Sequence, residues 1–159
     1  MRVPPRDQYV PYLLGRVSKG TASAASVLYR EWLGVGINNA RVVNALSRRP
    51  GSTAMDLTEE TGLDKAVISR SVHVLRGKGM IRFDDVTRRR RKIELTPAGV
   101  ALAARIMRMM LDRERMLLRG FSAAEKMHLV DYLRRMLVNV PYANAYHPPA
   151  SVRAHKPRR

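Results

Sequence analysis

The chain contains no cysteine among its 159 residues. A protein without cysteine has no disulfide, no thiolate ligand for a metal and no thiol that could sense an oxidant. Residues 1–10 also lack an apolar run, since they hold two prolines and mixed charges. Neither a signal peptide nor a membrane-spanning helix is predicted there, and we expect a cytoplasmic protein.

Acidic residues are scarce, because 13 Asp and Glu stand against 30 Lys and Arg and give a formal net charge of +17. A chain with this charge repels itself unless an anionic partner neutralises it. That partner could be nucleic acid or an anionic membrane surface, or the charge could serve solubility alone. The net charge says nothing about the fold.

Sequence signatures of catalysis and metal binding are lacking too. There is no glycine-rich phosphate loop and no nucleophile motif, and the acidic residues fall on predicted helix caps and exposed faces. His128, His147 and His155 do not have the spacing of metal ligands. We therefore expect that the protein is not an enzyme and that it binds no cofactor and no metal. We expect the methionines of the fifth predicted helix to fill a core rather than to sense oxidants.

The sequence up to residue 77 predicts four helices. Apolar side chains recur at helical spacing over residues 11–32 and again over residues 37–46, and Pro50-Gly51 breaks the chain after them. Thr53 and Asp56 have the spacing of a capping box at the start of a short third helix. Gly62 allows a tight turn, and Asp64 caps a fourth helix over Lys65–Gly77 whose outer face is basic.

A hairpin and two further helices complete the predicted order. Residues 80–83 and 92–95 read as two strands with a basic tip, and Thr96-Pro97 starts a long fifth helix with apolar side chains up to Phe121. Ser122 begins a sixth helix, which we expect to end at Pro141. We divide the chain into an arm (1–10), one domain (11–140) and a basic, disordered tail (141–159).

The order of these elements is typical of a helix-turn-helix, and the residues from Thr53 to Gly99 resemble the MarR family of winged-helix regulators. The matching segments are LDKAVISR at 63–70, LRGKGMI at 75–81 and LTPAG at 95–99. The resemblance implies a mainly α fold with a small β-hairpin wing, a winged helix-turn-helix with long N- and C-terminal dimerisation helices. It also implies a homodimer that regulates transcription at a pseudo-palindromic site in double-stranded DNA, with residues 37–96 as the DNA-binding core of the domain.

Long apolar faces outside the helix-turn-helix independently favour the homodimer, because exposing them costs about 25 cal/mol per Å². On the fourth helix and the wing we expect a set of DNA contacts, with Arg89 in the minor groove. The set is Lys65, Val67, Ser69, Arg70, His73, Arg76, Arg88, Arg89 and Arg90. A merely solvated basic surface is the alternative.

The wing departs from the family in one residue. Family wings usually carry Asp two residues before an Arg, and the corresponding positions here are Thr87 and Arg89. Either Asp85 substitutes for the missing carboxylate or the wing is looser in the free protein.

The resemblance further suggests a repressor that is released by a small aromatic or phenolic anion. Tyr29, Trp32, Arg41 and Asn44 are the candidate effector residues, because an aromatic wall and a guanidinium suit such an anion; core and surface roles remain open for them. Two other functions stay as alternatives. One is a sequence-independent architectural DNA-binding protein without an effector, and the other is a membrane-surface or protein-interaction module, disfavoured by the clustering of basic residues.

Overall fold

Six α-helices and one β-hairpin make up residues 4–84 and 91–147, the part of the chain that the computed structural model describes. A short 3-10 helix at Arg6–Gln8 precedes them. The helices are α1 (Val10–Leu33), α2 (Ile37–Arg48), α3 (Ala54–Thr61), α4 (Lys65–Gly77), α5 (Pro97–Leu117) and α6 (Ala123–Asn144); the strands are β1 (Ile81–Asp84) and β2 (Lys92–Leu95). The predicted mainly α fold with a β-hairpin wing is confirmed.

Local capping fixes the helix-turn-helix formed by α3 and α4. The Thr53 hydroxyl accepts the backbone N–H of Asp56 at 3.3 Å, and the Asp56 carboxylate accepts the backbone N–H of Thr53 at 2.8 Å. Gly62 ends α3 with φ 66°, a left-handed conformation that glycine adopts without strain. The Asp64 carboxylate then accepts the Val67 N–H at 2.8 Å and starts α4.

The core of the fold lies where these two helices meet α2, the hairpin and α5. Side chains at the centre are buried almost completely, and the largest are Leu46, Leu57, Ile68, Leu75, Ile93 and Ile106. Two α5 arginines also bind the backbone of α1, because Arg105 donates to the Trp32 carbonyl and Arg113 to the Thr21 carbonyl, each at 2.6 Å.

The two strands pair antiparallel, with Ile81 opposite Leu95 and Phe83 opposite Ile93. The Ile93 N–H also donates to the Ser52 carbonyl at 2.9 Å, which ties the hairpin to the segment before α3. Arg82 crosses to Glu94 on the neighbouring strand, with nitrogen and oxygen 2.7 Å apart. The base of the wing is therefore fixed on the helix-turn-helix.

The described residues fall into two compact units that divide between Arg113 and Glu114. The second unit contains α6, whose first turn has a capping box between Ser122 and Glu125 and which has no buried residue. No helix in the described ranges combines the length and the apolar character that crossing a membrane requires.

Two predicted helix ends are wrong. The fifth helix ends at Leu117 rather than continuing toward Phe121, which lies in a turn where its N–H donates to the Leu118 carbonyl at 3.0 Å. The sixth passes through Pro141 and ends at Asn144. Proline removes one backbone donor, and in this exposed last turn water can satisfy the carbonyl that is left without it. The predicted start of the tail thus lies inside α6.

Candidate nucleic-acid interface

One side of α4 is buried and the other is open to solvent. Ile68, Ser71 and Leu75 point into the core. The exposed side holds five of the residues predicted to contact DNA, Lys65, Ser69, Arg70, His73 and Arg76, and Val67 is half-buried at its edge. The helix therefore presents a mainly cationic face on a firmly packed base.

An open cavity of about 780 Å³ lies between the start of α3, the exposed side of α4 and the wing. Its lining is Thr53, Ala54, Met55, Asp56, Lys65, Ser69, Val72, Phe83, Arg91 and Ile93. Two predicted contacts, Lys65 and Ser69, thus share a concave surface with Met55, whose side chain is strongly exposed. Sequence reasoning missed Met55, Phe83 and Arg91, since only the folded hairpin brings them to α4.

A smaller open cavity of about 300 Å³ involves another part of α4. It is formed with α1 and the start of α2, and its lining is Ser26, Arg30, Gly36, Ile37, Asn38, Asn39, Val67, Arg70, Ser71 and Val74. The predicted contacts Val67 and Arg70 lie here, apart from Lys65 and Ser69. The predicted residues of α4 are therefore spread over two neighbouring concave surfaces.

At the wing end of α4, two arginines lie against one aromatic ring. The guanidinium carbon of Arg76 is 5.1 Å from the centroid of the Phe83 ring, and that of Arg91 is 5.6 Å from it. Both distances are within the range of cation–π attraction. The last turn of α4 and both arms of the wing thus meet at Phe83.

Other cations near the helix-turn-helix are neutralised within the protein. Arg48 on α2 pairs with Glu60 on α3 at 2.7 Å, and Arg49 lies 3.7 Å from Asp56. In the described ranges no such ion pair forms for Lys65, Arg70 or Arg76. Among the described residues, no carboxylate thus neutralises these three charges of α4.

The predicted wing contacts Arg88, Arg89 and Arg90 lie outside the described residues, as do Thr87 and Asp85. The contact of these arginines with DNA, and the place of Arg89 in the minor groove, thus stay predictions.

The four candidate effector residues differ in their surroundings. Tyr29 and Asn44 are buried, whereas Trp32 is 67% exposed and Arg41 is exposed. None of the four lines either cavity described above. The side-chain oxygen of Asn44 has no hydrogen-bond partner within the described ranges. The effector pocket remains a prediction.

The sequence model of the MarR family matches residues 33–91, from the end of α1 to the residue before β2. A MarR/EmrR family transcriptional regulator from Acinetobacter sp. ADP1 has 26% sequence identity and a TM-score of 0.79, over 87% of this chain and 99% of that one. Residues 33–91 of this chain thus match the MarR family, and the fold is similar to that of a solved MarR/EmrR family regulator.

Two further solved structures share the fold of this chain. MepR from S. aureus, solved as a DNA complex, is 19% identical with a TM-score of 0.73, over 86% of this chain and 99% of that one. BpsR from Bordetella bronchiseptica, whose DNA binding is regulated by 6-hydroxynicotinic acid, is 19% identical with a TM-score of 0.70 over the same shares. No curated protein sequence matches the chain.

Proposed function

We propose that this protein is a MarR family regulator of transcription that binds a pseudo-palindromic site in double-stranded DNA as a homodimer. The observation that carries the proposal is the exposed face of α4, whose cations form no ion pair in the described ranges while its other side is held by Ile68 and Leu75. A helix in this position of a helix-turn-helix enters the major groove, which is about 12 Å wide. Its arginines can then bind phosphates or guanine edges.

Exposed apolar side chains support the homodimer. Val17 of α1 is 51% exposed, and on α6 Leu137 and Val138 are 69% and Tyr142 is 75% exposed. Each Å² of apolar surface left in water costs about 25 cal/mol, so a second copy that covers these helices stabilises the protein. A symmetric dimer also matches a palindromic site, whose half-sites are about 34 Å apart.

The finer proposal is a repressor that a small aromatic or phenolic anion releases from DNA. The regulation of BpsR by 6-hydroxynicotinic acid supports it by analogy of fold alone. A ligand weakens DNA binding only as far as it prefers the conformation that does not fit DNA, typically by about 1–3 kcal/mol. With 6-hydroxynicotinic acid as the probe, Trp32→Ala and Arg41→Ala should weaken ligand binding; unchanged affinity in both variants removes these residues from the proposal.

The net charge of +17 favours one alternative, a sequence-independent architectural DNA-binding protein. Selection of bound fragments from genomic DNA, followed by titration with excess competitor DNA at physiological salt, separates the two functions. A regulator retains one pseudo-palindromic site, whereas an architectural protein loses all preference. A monomer in solution that binds all duplexes equally would contradict the proposed function.

A further inference from the structure

The Phe83 ring contacts one charged side chain from α4 and one from the wing. The Arg76 guanidinium comes from the last turn of α4, and the Arg91 guanidinium comes from the segment just before β2. Both are exposed, and they lie 5.1 Å and 5.6 Å from the same ring centroid. Two elements that are far apart in sequence thus place their cations against one side chain.

The ring itself is held by the core. Phe83 is half-buried and packs against the buried cluster, and it pairs across the hairpin with Ile93, which is 2% exposed. Paired residues of two antiparallel strands point to the same face of a sheet, so the ring is fixed on the core side of the wing. It is a firm support for two otherwise flexible side chains.

Contact with a ring face leaves an arginine able to bind an anion. The five N–H donors of a guanidinium lie in its plane, and stacking uses the flat face instead. Neither Arg76 nor Arg91 forms an ion pair with another residue of the described ranges. An arginine side chain that is already ordered loses less entropy on binding, which favours affinity.

We propose that Phe83 is a positioning residue that holds Arg76 and Arg91 ready for phosphates of the DNA backbone at the wing end of α4. The inference rests on the proposed DNA binding and adds Arg91 and Phe83 to it. Arg82 is the natural control, because it precedes Phe83 on the same strand but its guanidinium is bound to Glu94 at 2.7 Å. Two of its guanidinium nitrogens donate to Glu94, so its charge is already paired within the protein.

The test is a mutant cycle read out by affinity for a DNA duplex and by its salt dependence. We expect Phe83→Leu to weaken binding about 2- to 5-fold, the equivalent of the about 0.5–1 kcal/mol of an exposed cation–π contact. Phe83→Tyr keeps the ring and should bind like the wild type. In an Arg76→Ala/Arg91→Ala background, Phe83→Leu should cost nothing further, since no cation is left to position.

Phosphate contacts by the two arginines should also change the salt dependence of DNA affinity. Arg76→Ala and Arg91→Ala should each lower the slope of log affinity against log salt by about 0.9, the value of one phosphate contact, and Arg82→Ala should lower it less. A loss from Phe83→Leu that is equal in both backgrounds, or no loss at all, overturns the positioning role. If the wild-type protein binds no duplex, the proposed function itself is wrong. If Phe83→Leu binds DNA like the wild type, only the positioning role of Phe83 is wrong.

A second measurement does not depend on the stability of the Phe83→Leu variant. In the free wild-type protein, the side-chain proton resonances of Arg76 and Arg91 should be shifted upfield by the ring current of Phe83. Resonances at random-coil positions for both arginines would equally overturn the proposal.

Discussion

Gly99 lies so close to the backbone of Met80 that a Cβ atom at position 99 would overlap the Met80 carbonyl oxygen. The same oxygen accepts the N–H of Thr96 at 3.1 Å. The Thr96 hydroxyl donates to the Gly79 carbonyl at 2.7 Å and accepts the N–H of Gly99 at 3.1 Å. The start of α5 is thus seated directly on the segment that leads into the wing, which explains why glycine stands at this position.

Gly99→Ala should therefore destabilise the protein. The neighbouring group is backbone and cannot move aside like a flexible side chain, so we expect a loss of about 1–3 kcal/mol and a melting temperature lowered by about 2–4 °C per kcal/mol. Gly77→Ala is the control, because nothing lies within 4 Å of a Cβ atom there; in a helix it should be neutral or slightly stabilising. Equal melting temperatures for the two variants would contradict the steric explanation.

The local elements of this fold could be predicted from sequence because their causes are local. The caps at Thr53, Asp64 and Ser122 each act within three residues, and each is present in the structure. The predicted helix end at Pro141 is wrong because the effect of a proline depends on its surroundings. An exposed last turn tolerates the lost hydrogen bond, which a buried helix interior does not.

The candidate site could be predicted only in part. The exposed side of α4 follows from helical periodicity, which separates Ile68 and Leu75 from Lys65 and Arg70. The contacts of Phe83 depend on the hairpin register and on how the wing packs against α4. These relationships join residues that are distant in the chain, and no pattern in either segment alone specifies them.

The capping box of α6 gives a pH prediction. The backbone N–H of Ser122 donates to the Glu125 carboxylate at 2.7 Å, and this hydrogen bond, with a second from the Ser122 side chain, lowers the pKa of Glu125. A lowered pKa in the folded state means that the cap is fully formed above the ordinary carboxyl pKa and is lost as pH falls through the lowered value. The contribution of the Glu125 carboxylate to the α6 cap should therefore be lost as pH falls below the ordinary carboxyl range.

An NMR titration of the Glu125 side chain tests this prediction. The carboxyl resonance should titrate below its ordinary range, and the amide resonance of Ser122 should follow the same curve. In Glu125→Gln, which keeps an acceptor oxygen but does not ionise, the Ser122 amide should lose this transition. A Glu125 carboxyl that titrates at or above its ordinary pKa would show that the hydrogen bonds do not form in solution.

Oligomeric state should depend on the apolar face of α6. Leu137 is 69% exposed in the single chain, so Leu137→Glu leaves the buried core of the chain untouched. If a second copy covers this helix, a carboxylate there must be buried without a partner, and the dimer should dissociate. Sedimentation velocity should show a monomer for Leu137→Glu and a dimer for Asn139→Glu, which adds the same charge at an exposed polar position. Identical behaviour of the two variants would exclude this face from the dimer interface.

Arg70 is the residue expected to give base preference rather than general affinity. It is exposed on α4 and forms no ion pair in the described ranges, and a bidentate arginine contact to guanine discriminates against a wrong base by about 1–3 kcal/mol. Arg70→Ala should therefore lose about 5- to 150-fold in preference for the selected site over single-base variants of it. Arg70→Lys should keep general affinity but not the preference, since an ammonium group cannot make the paired contact.

Arg135→Ala removes the same charge from exposed α6 and should leave the preference unchanged. Titrations of all three variants at one salt concentration decide the question: a uniform loss on every duplex in Arg70→Ala would assign this arginine to the phosphate backbone instead.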